Sequence, residues 1–68
     1  MQSCFDEAAV RLIQHHHYVC EIHAYRVALG HVQEGMYDGL WVFQAFSSKG
    51  ERVYIGFDQD AARRHCYP

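Results

Sequence analysis

Residues 40–57 read Leu40-Trp41-Val42-Phe43-Gln44-Ala45-Phe46, then Ser47-Ser48-Lys49-Gly50-Glu51, then Arg52-Val53-Tyr54-Ile55-Gly56-Phe57. Two runs rich in β-branched and aromatic residues flank five polar residues that include a glycine able to take positive φ. That pattern predicts a β-hairpin. Alternation along the first run sends Trp41, Phe43 and Ala45 to one face and Leu40, Val42, Gln44 and Phe46 to the other. Both faces are apolar. One is expected to pack on a helix; the other needs a second cover, from another helix or from a partner chain.

C-terminal to the hairpin, Asp58 is a suitable N-cap for a short helix, with Asp60 in its first turn and Arg63, Arg64 and His65 at the end where the dipole favours cations. N-terminal to it, Gly30, Gly35 and Gly39 punctuate a stretch that reads as a loop carrying His31, Glu34, Met36, Tyr37 and Asp38. Residues 15–29 fit two patterns. As a strand, Cys20, Ile22 and Ala24 share one face and Glu21, His23 and Tyr25 the other. As a helix, Val19, Ile22, Arg26 and Leu29 align and Gly30 stops it. The run His15-His16-His17-Tyr18-Val19-Cys20 is poor helix material and favours a strand over about 19–28. At the start of the chain, Ser3 and Asp6 form a capping-box-like signal, and Phe5, Ala8, Ala9, Leu12 and Ile13 recur at helical spacing over about 4–16. The expected fold is a single α+β domain spanning residues 1–68. Its order is α-β-β-β-α, a three-stranded antiparallel meander flanked by helices.

A chain of 68 residues buries only about 60% of the surface its unfolded form exposes, so its core is thin and its stability modest. Half of the residues are apolar and 15% are aromatic, more than one thin core hides, and exposed aromatic area of that kind marks interfaces. A formal charge of −2 gives no electrostatic footprint for nucleic acid or an anionic membrane. No apolar run approaches the roughly 20 residues of a membrane span. The N-terminal stretch has neither a basic nor an apolar segment, so no signal peptide is expected. Three cysteines without a secretion signal read as reduced thiols in a cytoplasmic protein.

Metal binding follows from the six histidines. In the helical reading of residues 15–29, His16, Cys20 and His23 fall at i, i+4 and i+7 on one face, with Cys4, His31, His65 or Cys66 as the source of a fourth ligand. Imidazole and thiolate suit zinc, and a structural zinc would staple so small a fold. In the strand reading His23 turns away from Cys20 and the set disperses; the histidines at 15–17 are then a solvated helix end. Catalysis finds little support. His65 and Cys66 are sequence neighbours, which on a helix point about 100° apart. Asp58 and Asp60 are explained by capping, and the glycines are too widely spaced for a phosphate loop. No enzyme activity is expected.

The order α-β-β-β-α resembles that of double-stranded RNA-binding domains. That family carries lysines at the start of its last helix to meet phosphates. Here the position reads Asp58-Gln59-Asp60, so nucleic acid is a disfavoured partner even with Arg52, Arg63 and Arg64 available. The remaining reading is a protein-interaction module that needs no cofactor. Tyr37, Trp41, Phe46 and Tyr54 are the expected anchors, with Arg52, Arg63 and Arg64 facing an acidic rim. The partner is another protein or a second copy. In size and style the chain resembles the small inhibitors carried by phages and mobile elements, anti-CRISPR proteins among them.

Overall fold

The computed structural model describes residues 4–15 and 18–67. Its elements run α1 (Glu7–Gln14), β1 (Val19–Val27), β2 (Gly30–Tyr37), β3 (Leu40–Ser47), β4 (Arg52–Gly56) and α2 (Gln59–Arg64). The strands form one antiparallel sheet in the order β1-β2-β3-β4. The α+β class, the flanking helices and the β3–β4 hairpin are as the sequence predicts. The strand count is corrected from three to four, because the expected loop at residues 30–39 is β2 and the turn that follows it. The fourth strand also removes the architectural likeness to double-stranded RNA-binding domains.

Glycine misleads here because two of the three glycines serve close approach within a strand. A Cβ on Gly30 would collide with the carbonyl oxygen of Phe46, and one on Gly35 would come within 3.1 Å of the Glu21 carbonyl oxygen. Only Gly39 marks a turn. Asp38 and Gly39 take φ of 50° and 79°, the left-handed pair that lets a two-residue hairpin match the twist of its strands. Val27 pairs with Gly30 across a second two-residue turn, Ala28-Leu29. In the β3–β4 loop the Ser47 hydroxyl accepts from the Lys49 and Glu51 N–H groups.

Helix α1 is shorter than predicted because its N-terminal flank is drawn into the sheet. The Ile55 N–H donates to the Cys4 carbonyl (3.0 Å) and the Asp6 N–H to the Ile55 carbonyl (2.8 Å). Asp6 thus becomes the cap, its carboxylate accepting from the Ala8 N–H at 2.9 Å. Ser3, the predicted cap, lies outside the described residues. Asp58 caps α2 as expected, accepting from the N–H groups of Asp60 and Ala61. Residues 19–27 take the strand alternative.

The two helices cover opposite faces of the sheet. On one face Ala62 and Cys66 pack on Val32 and Ala45, with Tyr25, Val27, Phe43, Val53 and Tyr54 around them. On the other, Ala9 packs on Val42 and Ile55, with Val10, Leu12, Ile13 and Tyr37 alongside. Helix 2 is therefore the second cover that the two-sided hairpin demands. Ala9, Ala45 and Ala62 are fully buried; their small side chains let the helix backbones lie close on the strands. The Cys66 thiol is buried against the carbonyls of Phe46 (3.6 Å) and His31 (3.7 Å), so it acts as a small core group with a weak donor. Gln44, the buried polar residue on the α1 face, accepts from Arg52 Nη1 at 2.8 Å.

Gly30→Ala should destabilise the fold by about 1–3 kcal/mol, since strand β2 must move off β3 to admit the methyl group. A urea unfolding curve checks this.

Candidate protein-binding surface

The sheet ends unevenly. Where the N-terminal part of β1 meets the β2–β3 turn, large apolar side chains stand in solvent: Tyr18 is 75% exposed, Ile22 54%, Leu40 52% and Trp41 41%. The Asp38 N–H donates to the Tyr18 carbonyl at 3.1 Å, which ties β1 to the turn. Alternation in β3 puts Leu40 on the α1 face and Trp41 on the α2 face, and Trp41 pairs across the strands with Met36. One row further in, Phe43 lies opposite Glu34, which lies opposite His23.

Trp41, Phe43, Glu34 and Gln59 line an open cleft of about 300 Å³. Its polar wall is held in place. Gln59 Nε2 donates to the Glu34 carboxylate at 2.9 Å and to the Tyr25 hydroxyl at 3.4 Å. Arg63 Nε donates to the same hydroxyl at 3.1 Å, with its guanidinium 5.4 Å above the Tyr25 ring. This hydrogen bond raises the Arg63 pKa above its ordinary value. Beside the cleft, Glu21 and His23 meet at 2.8 Å on the exposed side of β1. The surface around Trp41 is aromatic with a carboxylate rim.

The expected anchors are distributed over the molecule. Trp41 stands at the open end described above. Tyr37 packs against the α1 core. Tyr54 packs against the α2 core, accepts from the Asp58 N–H at 3.3 Å and stacks on His65. Phe46 stacks on His31 with ring centres 4.7 Å apart and planes 6° apart. Arg52 lies on the α1 face over the Phe5 ring, whereas Arg63 and Arg64 project from α2. Glu34, Phe43, Gln59, Ile22 and Leu40 were not singled out as surface residues by the sequence, although Leu40-Trp41 directly after Asp38-Gly39 is the position a hairpin tip occupies.

Of the expected metal ligands, His16 and the side chain of Cys20 lie outside the described residues. The strand form of residues 19–27 removes the helical spacing that would align them with His23. His65 is engaged with Tyr54, and Cys66 is buried in the core. Among the described residues no group of three His, Cys, Asp or Glu side chains is placed to hold a metal ion. Within them, too, no helix is long and apolar enough to cross a membrane.

Tyr25→Phe removes the acceptor shared by Arg63 and Gln59. It should cost about 1 kcal/mol in urea unfolding and loosen Gln59 from the cleft wall, read as faster exchange of its side-chain amide protons by NMR. Comparison with protein-family models, with curated proteins and with solved structures found no match to this chain.

Proposed function

We propose that this domain is a non-catalytic protein-binding module that works by occupying a partner's surface, with Trp41 as the anchor. The observation that carries this reading is the exposed Trp41 on the central strand β3, beside a cleft whose carboxylate, Glu34, is fixed by Gln59. An aromatic ring held on a rigid strand loses little conformational entropy on docking. It also presents the large, partly polar area typical of interface hot spots. The carboxylate rim of Glu34 and Glu21 selects a partner that offers a lysine or arginine next to apolar residues, because a cation can lie over the indole and pair with Glu34. A chain of 68 residues presenting one such patch suits the role of a small inhibitor of the kind phages and mobile elements carry, blocking a site rather than turning over a substrate.

Trp41 is the sole tryptophan of the sequence, so its fluorescence reports on this surface. Titration with a captured partner should shift its emission to the blue. Trp41→Ala should weaken binding by roughly 30-fold, about 2 kcal/mol, with an unchanged circular dichroism spectrum, while Arg64→Ala on α2 should leave affinity unaltered. A partner that binds Trp41→Ala as tightly as the native protein removes the surface from consideration.

A further inference from the structure

The two edges of the sheet are treated differently. Along β4 the segment Cys4–Asp6 adds a short parallel bridge, Phe5 to Ile55, and both backbone groups of Ile55 are bonded to it. Along β1, nine residues long, no described residue pairs with the outer side. Antiparallel alternation from the Val27–Gly30 pair points the backbone groups of Val27, Tyr25 and His23 toward β2. Those of Ile22, Ala24 and Arg26 therefore point outward. The helices make most of their contacts with β3 and β4, and α2 reaches Tyr25 of β1 through Gln59 and Arg63 on the face of the sheet.

We propose that β1 pairs antiparallel with β1 of a second copy, joining two four-stranded sheets into one of eight strands. The inference goes beyond the Trp41 surface and does not depend on it. Charge selects the occupant. The acidic residue of the strand, Glu21, stands toward its N-terminal end on the α2 face, and Arg63, held over Tyr25 on that same face, stands toward its C-terminal end. Antiparallel self-pairing brings each acidic end onto the basic end of the other copy, whereas parallel pairing would set like against like. The backbone sets the register. The ladder with β2 is irregular between Val19 and Ile22 and regular from Ile22 to Val27, so the two-fold axis falls at Ala24, the centre of the outward-facing set. Ala24 then faces its own copy, and exposed Ile22 lies along the aliphatic stem of the partner's Arg26. Backbone hydrogen bonds supply the affinity, as in other strand-addition contacts.

Sedimentation equilibrium of the full chain, with thiols kept reduced and no metal resin used, should give a dimer at micromolar concentrations. Ala24→Pro removes an outward N–H, leaves the β1–β2 ladder bonded and suits an edge strand. It should raise the dimer dissociation constant at least about tenfold with no change in circular dichroism. Ile22→Lys should do the same, and serves should the proline variant fail to fold. Glu21→Arg and Arg63→Glu should each weaken the dimer, and the double variant should recover it. A native protein that stays monomeric throughout the range overturns the proposal. So does a dimer that survives Ala24→Pro and Ile22→Lys, or one that Trp41→Ala dissolves, since self-association would then use another surface. Trp41→Ala should keep the dimer, so failure here and failure of the Trp41 surface are read separately.

Discussion

A sheet that is apolar on both faces must be covered twice, and this chain has two short helices with which to do it. Helix α1 spans Glu7–Gln14 and α2 spans Gln59–Arg64. Helices of about two turns each can shield only part of a four-stranded sheet, so they must lie where burial gains most. They sit on β3 and β4, the strands with the heaviest apolar load, and reach full burial at alanines because a small side chain allows the closest approach. The cost of this arrangement falls on the end of the sheet where β1 begins and β2 turns into β3. Exposed Ile22, Leu40 and Trp41 follow from that geometry.

Because coverage is so limited, each tie between layers carries more weight than it would in a larger domain. Cys4 and Asp6 hold the flank of α1 to Ile55, and the Leu29 N–H donates to the Cys66 carbonyl at 2.8 Å, holding the β1–β2 turn to the end of α2. Gln59 and Arg63 converge on the Tyr25 hydroxyl and bind α2 to β1 across the sheet. The same Gln59 fixes Glu34 beside Trp41. One residue in the first turn of α2 thus both fastens a layer and shapes the polar wall of the candidate surface, so the aromatic anchor and its carboxylate are set before any partner arrives.

Legibility in the sequence varied with how local the cause was. The β3–β4 hairpin and the Asp58 cap depend on residues within a few positions, and their composition announces them. The β2 strand was obscured by Gly30 and Gly35, whose purpose is to let other strands approach; that is a tertiary requirement with no local signature. The Asp38-Gly39 pair did carry a local signature, a left-handed two-residue turn, but its neighbours made the glycines read together as a loop. Among the surface residues, Trp41 was visible from composition and alternation. Glu34 and Gln59 were not, since they are 25 positions apart and meet only because α2 folds back over β2.

By itself the sequence determined the α+β class, the hairpin with two apolar faces, and the need for two covers, because alternation and capping act over neighbouring residues and are written in residue type. Tertiary structure alone decided which aromatics find a neighbour within the fold. Tyr37, Phe46 and Tyr54 have the same chemistry as an interface anchor, yet each found a partner inside the fold: the α1 core, the His31 ring, and α2 with His65. Trp41 was left at the uncovered end of the sheet. An aromatic ring is equally suited to a core and to an interface, and only the reach of two short helices separates the two roles here.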